Sequence, residues 1–583
     1  LLISWDGQEE AFSAAGGKSA YLRRFAVPWY ASDAFVYALG VAVLASLAGL
    51  LFVRLWPRRA ALAAGLRQAV ARRVTPWDGP ERLFLAAAAL VAVLLRVTDL
   101  GRTYPAVDEY FHLIAARQIV EGAALPAVYD RALWIVTLPV SLAFRAFGFQ
   151  LWAARLVGAL VNVLGIWPLY LLARRINRPV AMLSATLFAT SPWIVTFARI
   201  AREYAYYPVF AYWIVLGMVS LLERIPERFV PARDGKALLK PGSLSIGLAL
   251  LIPPAFAFLV DPSSTFRVIM LAYAVFAVFV LARFDWRHPR NLPVLALILA
   301  VMLAAAYLAY LPDTGRIVSV PRFNAVPVGY FFPNPPQQWY FGRLALVPAA
   351  ALIAAAVCSH VVRRENIVPL FMLSLFLVYL AFFTFLSKTF FHTRHLSMTQ
   401  LWYIVVLACG LYFGWRAVRL LRPWRARSIS VAAAGALVLV FTNAGQVLLP
   451  VTSTSADNAI SEDYLHDMSA VQAFLTAHAR PQDALISTVY GLYSSWVEAP
   501  HFLANYRITT ETPPEEIAAL IEQHASGWIV IDQIRLEMSG LGAHAFAGNP
   551  DVEYIGLFGD QNVWRWQHLP AATGSTTVAG KAQ

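Results

Sequence analysis

The chain has 583 residues, of which 59% are hydrophobic and 14% are charged, and its mean hydropathy is +0.58. Soluble domains carry about 25% charged residues, so this composition excludes an ordinary soluble protein and indicates a polytopic membrane protein. Both cysteines, Cys358 and Cys409, lie in apolar runs, which argues against a disulfide framework and against a thiolate metal site.

The net charge of +13 is distributed unevenly along the chain. Residues 457–583 carry a balance of −10, whereas residues 1–456 carry a balance of +23. Short arginine-rich loops are typical of the cytoplasmic side of a membrane protein. Nucleic-acid binding would require the basic residues on one water-facing surface, so we exclude that function.

Apolar runs near the ~20 residues that cross a bilayer predict about twelve transmembrane helices. The predicted spans are residues 34–53, 82–98, 152–172, 180–196, 204–222, 244–260, 266–282, 292–311, 343–358, 367–386, 396–414 and 429–449. Arginine clusters follow the first, third, ninth and eleventh spans, which places these loops in the cytoplasm. Residues 131–148 contain Pro139 between Arg131 and Arg145, and we predict an interfacial amphipathic helix there instead of a thirteenth span.

The pattern divides the chain into four segments. The predicted segments are an N-terminal part with an extra transmembrane helix and a basic cytoplasmic loop (1–81), a transmembrane module (82–450), a soluble external α/β domain (451–569) and a disordered tail (570–583). The module has a long first external loop, 99–151, and a loop rich in proline and aromatic residues, 312–341, which is a candidate lid. In the α/β domain we predict helices at 464–477 and 514–524 and strands at 484–489, 528–532, 552–558 and 562–567.

An adjacent acidic pair, Asp108 and Glu109, follows a very apolar predicted helix. Acidic residues are scarce in the membrane part of the chain. A carboxylate where a membrane helix meets water can act as a general base on a hydroxyl, or it can hold a metal ion. The alternative is an acidic helix N-terminus favoured by the helix dipole.

A second polar cluster, with Arg199, Arg202 and Glu203, lies where the fourth predicted span ends and the fifth begins. Arg199 and Glu203 are four residues apart, so a continuous helix would place both on one face. A structural ion pair is the alternative for these residues, because charges within membranes usually pair.

A third cluster is cationic and lies between the tenth and eleventh spans. Its members are Lys388, His392, Arg394 and His395, and no carboxylate lies nearby in sequence. Such a cluster suits a phosphate group, because an arginine can donate two parallel hydrogen bonds to phosphate oxygens and a lysine contributes a compact positive charge. The alternatives are snorkelling of Lys388 and Arg394 toward lipid headgroups and a packing role for the two histidines.

These motifs resemble those of the GT-C superfamily of polytopic glycosyltransferases, and most closely the protein O-mannosyltransferases and the lipid A aminoarabinose transferases. The resemblance rests on residues 108–117, 155–175, 198–204 and 388–396 in that order, and it covers roughly residues 82–415. The predicted helix at 34–53 is an addition at the N-terminus that the family pattern lacks. The C-terminal domain lacks the Trp-Trp-Asp signature of oligosaccharyltransferases, which argues against oligosaccharide transfer to asparagine.

The resemblance implies a GT-C fold of about twelve transmembrane helices and a catalytic site at the external face. The donor would be a sugar linked to a polyprenyl phosphate, and the acceptor would be a hydroxyl group of a lipid, glycan or protein. Asp108 would act as the general base of an inverting transfer, with Glu109 beside it. Groups that would bind the phosphate and sugar of the donor, or lock one another in place, are Arg199, Arg202, Glu203, Lys388, His392, Arg394 and His395.

The sequence requires no cofactor, and a divalent metal stays open because no long Asp-x-Asp motif is present. The composition, rich in Ala, Arg and Leu, suits a bacterium, so we expect a multi-pass protein of the plasma (inner) membrane with its site on the periplasmic side. Three alternatives are a transporter or lipid flippase, a surface-polysaccharide polymerase or ligase, and a membrane-anchored scaffold. Polar clusters at external helix ends, instead of mid-membrane, disfavour the transporter.

Overall fold

The structure is a computed structural model of the chain. It describes residues 77–101, 109–125, 132–229, 265–283, 346–386, 396–420, 469–488, 502–508, 512–532, 548–558 and 561–568, with isolated positions between them. The chain divides into two compact units, and the described residues of the first lie within Val36–Tyr464 and those of the second within Leu465–Gln583.

Helices make up the described part of the first unit. They are α1 (Gly79–Val97), α2 (Glu109–Val120), a π-helix (Leu133–Thr137) continued by α3 (Leu138–Phe147), α4 (Leu151–Leu164), α5 (Ile166–Arg174), α6 (Arg178–Thr190), α7 (Pro192–Ala198), a 3₁₀ turn (Glu203–Ala205), α8 (Tyr207–Phe229), α9 (Thr265–Arg283), α10 (Leu346–Val362), α11 (Val368–Ala381) with a π-helix (Phe382–Leu386), and α12 (Ser397–Leu420).

Several of these helices could cross a membrane. In the described residues, Leu151–Arg174, Val368–Phe385 and Ser397–Ala417 are long and apolar enough, and the bent pair α6 and α7 would make a fourth span. Each coincides with a predicted span. The predicted spans 34–53, 244–260, 292–311 and 429–449, the candidate lid 312–341 and the tail 570–583 lie outside the described residues. The apolar helix Leu133–Phe147 is shorter than a span, and its interfacial position stays a prediction.

The predicted span 180–196 is two helices that meet at a bend of 54°. Ser191 is extended, and its Oγ accepts a hydrogen bond from the Ile194 amide to begin α7. Pro192 has no N–H to give to the Phe188 carbonyl, so α6 ends at Thr190, and the seven-residue helix α7 separates it from the junction that begins at Arg199. Because of the bend, carbonyls in the last turn of α6 have no intrahelical N–H donor and need a hydrogen bond from another part of the chain.

Helices α10 and α12 lie side by side and run in the same direction. A Cβ atom added to Gly410 would collide with the backbone of Ala351, and one added to Gly414 would lie 4.0 Å from the Cβ of Ala354. Glycine at position 410 therefore allows the close approach of α12 to α10. This contact sets the position of α12, whose first turn follows the predicted cationic cluster in sequence.

The second unit contains a five-stranded mixed sheet. Its helices and strands are α13 (Ser469–His478), β1 (Ala484–Ser487), β2 (Ala504–Arg507), α14 (Pro514–Glu522), β3 (Ser526–Asp532), β4 (Val552–Phe558) and β5 (Gln561–Gln567). The strand order is β2-β1-β3-β5-β4; β1 is parallel to β2 and β3, and β5 is antiparallel to β3 and β4. The predicted α/β pattern is confirmed, and β2 is an additional strand that the sequence analysis missed.

Candidate functional site

A fully buried ion pair holds the start of α2. Arg155, on α4, donates from Nε to Glu109 Oε1 and from Nη2 to Glu109 Oε2, both at 2.8 Å. The third nitrogen, Nη1, donates to the Leu100 carbonyl at 3.1 Å, and the backbone amide of Ala201 donates to Glu109 Oε1 at 2.7 Å. Glu109 therefore ties together the end of α1, the start of α2, α4 and the junction after α7.

A second buried arginine donates hydrogen bonds to carbonyls at the C-terminal end of α6. Arg96, near the end of α1, donates to the carbonyls of Phe188 and Ala189 at 3.1 and 3.0 Å. Its Nε donates to Asn162 Oδ1 at 2.8 Å, and Asn162 Nδ2 donates to the Ala205 carbonyl at 2.8 Å. The carbonyls freed by the bend at Pro192 thus receive charged donors, and the same side chains fix the 3₁₀ turn.

Arg199 caps the C-terminal end of α1. Its guanidinium donates to the carbonyls of Leu95, Thr98 and Asp99 at 3.2, 2.6 and 2.8 Å. A cation is favourable there because the last carbonyls of a helix lack intrahelical donors. The continuous helix that would place Arg199 and Glu203 on one face is wrong, because α7 ends at Ala198 and Glu203 begins a separate turn.

Glu203 instead pairs with its neighbour in sequence. Arg202 donates from Nε and Nη2 to the two Glu203 oxygens at 2.9 and 3.1 Å. His112 Nε2 lies 3.9 Å from Glu203 Oε2, and His112 Nδ1 lies 3.0 Å from Thr137 Oγ1. All of these side chains are buried, so α2, the π-helix and the junction share one polar cluster.

Aromatic side chains connect this network to the first turns of α12. The ring of Phe188, below the Arg96 guanidinium, meets the ring of Tyr212 edge-on at 6.2 Å. Tyr212 meets Trp402 edge-on at 6.1 Å and donates its hydroxyl hydrogen to the Leu401 carbonyl at 3.0 Å. The start of α12 is therefore fixed against the buried arginines.

The remaining predicted site residues lie outside the described residues. They are Asp108, Lys388, His392, Arg394 and His395. Glu109 directly follows Asp108, and α12 begins two residues after His395. Among the described residues no group of three or more His, Cys, Asp or Glu side chains could hold a metal ion, so metal dependence stays open.

Sequence reasoning did not assign site roles to Arg96, Arg155, Asn162, His112 or Thr137. The signal was present for three of them, because Arg96, Arg155 and Asn162 lie inside predicted apolar spans. A charged or amide side chain within a span is expected to pair or to serve function. Their partners could not be read from the sequence, since Arg155 and Glu109 are 46 residues apart and Arg96 and Asn162 are 66 apart.

One protein-family model matches the part of the chain that carries most of this network. Residues 132–232 match the family model described as dolichyl-phosphate-mannose-protein mannosyltransferase. The matched segment covers 101 of the 583 residues. It includes Arg155, Asn162, Arg199, Arg202 and Glu203, and the resemblance to protein O-mannosyltransferases inferred from the sequence is confirmed there.

Two solved structures are similar to this chain over most of its length. ArnT from Cupriavidus metallidurans bound to undecaprenyl phosphate is 14% identical, with a TM-score of 0.49 over 83% of this chain and 97% of that one. The archaeal oligosaccharyltransferase AglB from Archaeoglobus fulgidus, in complex with an inhibitory peptide and a dolichol-phosphate, is 13% identical, with a TM-score of 0.48 over 79% of this chain and 70% of that one. No curated protein matches the chain in sequence.

Proposed function

We propose that this glycosyltransferase moves a sugar from a polyprenyl-phosphate donor to a hydroxyl acceptor at the external face of the bacterial plasma membrane. The family model that matches residues 132–232 supports a lipid-linked donor. The arginine-rich loops support a cytoplasmic position for the membrane face opposite the proposed site. Transfer inverts the anomeric carbon, with Asp108 as the general base.

The observation that carries this proposal is the anchoring of Glu109. Both carboxylate oxygens of Glu109 accept hydrogen bonds from Arg155, and one also accepts from the Ala201 amide. Asp108 is the next residue toward the N-terminus, at the start of a helix whose first residue is thus fixed on three sides. A general base must be held within hydrogen-bond reach of the proton that it accepts. A firmly held Glu109 next to it in sequence serves this requirement.

The reaction transfers one proton and exchanges one bond at the anomeric carbon. The acceptor oxygen forms a bond to that carbon while its proton passes to Asp108. The bond from carbon to the phosphate oxygen breaks, and polyprenyl phosphate leaves with the electron pair. Lys388, His392, Arg394 and His395 stabilise the charge that develops on the phosphate.

The buried residues around Glu109 position this chemistry. Arg199 fixes the end of α1 through its carbonyl contacts. Glu203, held by Arg202, orients hydroxyl groups of the sugar. We assign Glu109 the role of holding α2 in place, because its oxygens are already occupied by Arg155 and the Ala201 amide.

The test uses purified full-length protein in lipid nanodiscs, radiolabelled polyprenyl-phosphate mannose, glucose, galactose and 4-amino-arabinose, and an extract of bacterial envelope lipids, glycans and proteins as the source of hydroxyl acceptors. Wild type should consume at least one of these donors, and Asp108→Asn should lower kcat by roughly 100-fold or more, the range of general-base effects, with unchanged donor binding. Arg117→Lys, in an exposed ion pair with Glu121, is the matched control and should retain activity. An EDTA arm decides metal dependence. If no donor binds and none is consumed, the proposal is wrong.

A further inference from the structure

Gln400 carries a buried amide without a partner on the first turn of α12. Its side chain is 1% exposed, and neither Oε1 nor Nε2 has a hydrogen-bond partner among the described residues. The hydroxyl of the preceding residue, Thr399, is also buried and also has none in that part of the chain. Two adjacent residues therefore present one amide and one hydroxyl that no described residue binds.

Such groups are unfavourable unless something binds them. A buried donor or acceptor without a partner destabilises the fold, and the amide of Gln400 has both kinds of atom without a partner among the described residues. A leucine at position 400 would fill a similar volume without this cost. Retention of an amide there indicates that a ligand or water supplies the missing hydrogen bonds.

The position of Gln400 points to the donor. The adjacent Leu401 carbonyl accepts the hydroxyl hydrogen of Tyr212. Tyr212 packs on Phe188, whose carbonyl accepts from Arg96. The first turn of α12 thus lies in the same layer as the buried arginine network, and it directly follows the predicted phosphate-binding cluster in sequence.

We propose that the Gln400 amide, with the Thr399 hydroxyl beside it, binds hydroxyl groups of the donor sugar. This inference rests on the proposed function. A primary amide offers two donor hydrogens and one acceptor oxygen, which matches neighbouring sugar hydroxyls, and being neutral it leaves the phosphate to the cationic cluster. Gln400 then selects among donors, because a sugar without the matching hydroxyl would leave the buried amide unpaired.

A ligand role and a structural role predict opposite effects on stability. If the Gln400 amide serves only to bind a ligand, Gln400→Leu should leave the thermal midpoint of the ligand-free protein unchanged or raise it. If Gln400 supports the fold, the same change should lower the midpoint. Thr399→Val is the second variant, and it should act in the same direction as Gln400→Leu with a smaller effect.

Ser359→Ala is the matched control for these variants. The Ser359 hydroxyl is also buried and also lacks a partner among the described residues. It lies on α10 about two turns past Ala351, which contacts Gly410, whereas Gln400 precedes Gly410 by nearly three turns. Because α10 and α12 run in the same direction, Ser359 and Gln400 lie at opposite ends of this helix pair.

The deciding experiment uses full-length protein in nanodiscs and measures the binding of two lipids and the turnover of the one that carries a sugar. One lipid is the polyprenyl-phosphate sugar that wild type consumes best among the four donors named above, and the other is polyprenyl phosphate without sugar. Gln400→Leu should raise KM for the sugar lipid about ten-fold, the equivalent of one lost hydrogen bond of 1.4 kcal/mol. Its affinity for the sugar-free lipid should stay within about two-fold, and Ser359→Ala should match wild type for both.

Two results would overturn the inference while the proposed function stands: an unchanged KM for the sugar lipid in an active Gln400→Leu variant, or equal losses of affinity for both lipids. If wild type itself consumes none of the donors and binds the sugar lipids no more tightly than the sugar-free lipid, the proposed function falls and the role of Gln400 falls with it. Loss of thermal stability in Gln400→Leu without any donor-specific effect would assign this residue to the fold.

Discussion

Arg155 and Glu109 form two parallel hydrogen bonds of 2.8 Å in a fully buried position, although 46 residues separate them in sequence. A planar guanidinium and a carboxylate match in this geometry, which fixes direction as well as distance. The pair holds the first residue of α2 against α4. Asp108, the proposed base, is the residue before Glu109 in the sequence.

Breaking this pair should impair both folding and activity. Glu109→Gln leaves Arg155 with an uncompensated buried charge, and removal of one partner of such a pair costs about 3–5 kcal/mol. Arg155→Lys should lower kcat as well, because an ammonium cannot form both bonds to the carboxylate. Thermal unfolding and turnover of the folded fraction would measure the two effects separately.

Glu81 provides the matched control for Glu109. It is equally buried, and it accepts hydrogen bonds from Arg174 at 2.5 and 3.0 Å and from Tyr170 at 2.7 Å. It lies at the other end of α1, away from Arg96 and Arg199. Glu81→Gln should therefore lower stability while the folded fraction keeps its kcat. Equal kcat losses in Glu81→Gln and Glu109→Gln would show that Glu109 has only a structural role.

Arg199→Lys tests the capping of α1. A single ammonium cannot reach the carbonyls of Leu95, Thr98 and Asp99 together, so we expect a lower thermal midpoint and an unchanged KM for the donor. Arg117→Lys, at an exposed pair, should change neither quantity because such pairs contribute about 0–1 kcal/mol. A raised donor KM at an unchanged midpoint would instead show that Arg199 binds the phosphate directly.

The contact between α10 and α12 gives a prediction with an internal control. Gly410→Ala should destabilise the protein by about 1–3 kcal/mol or more, because the new Cβ would meet the Ala351 backbone. Gly414→Ala meets only the Ala354 side chain at an ordinary distance, and it should be neutral or stabilising by up to ~1 kcal/mol through helix propensity. Thermal unfolding of both variants in the same detergent measures the difference, and similar midpoints would contradict the close approach.

The sheet unit should lose stability as the pH rises through the titration of His568. Its Nδ1 lies 2.8 Å from Asp551 Oδ2 and its Nε2 lies 3.0 Å from the Ile521 carbonyl. The Asp551 hydrogen bond, followed by that to Ile521, raises the pKa of His568 above its ordinary value of 6.5. The stabilisation is therefore complete below pH 6.5 and disappears as the pH passes the raised pKa.

Hydrogen exchange of the strand amides in the full-length protein measures this pH dependence, after correction for intrinsic exchange rates. Wild type should show less protection at pH 8.5 than at pH 6. His568→Gln and Asp551→Asn should each flatten the difference. A wild-type protein with equal protection at both pH values would show that the pair does not contribute to the stability of the sheet.

The sequence by itself determined the class of the protein and most helix positions. Apolar runs reflect local burial in lipid, so the helices at 79–97, 265–283 and 397–420 follow closely the runs from which they were predicted. Four of the five strands were predicted from apolar and β-branched runs. The fifth, Ala504–Arg507, has little such pattern, because an edge strand is formed by hydrogen bonds to β1. The order of polar motifs also indicated the family whose model matches residues 132–232.

Only the tertiary structure decided which polar groups meet. The sequence placed Arg199 with Glu203 by helical spacing, whereas Pro192 bends the span, α7 ends at Ala198 and Arg199 caps α1 instead. The partners of Arg155 and Arg96 come from other helices. Hydrogen bonds between distant segments depend on how helices cross, and no local pattern encodes that crossing. For the same reason the sequence could not show that the Gln400 amide is buried without a hydrogen-bond partner among the described residues.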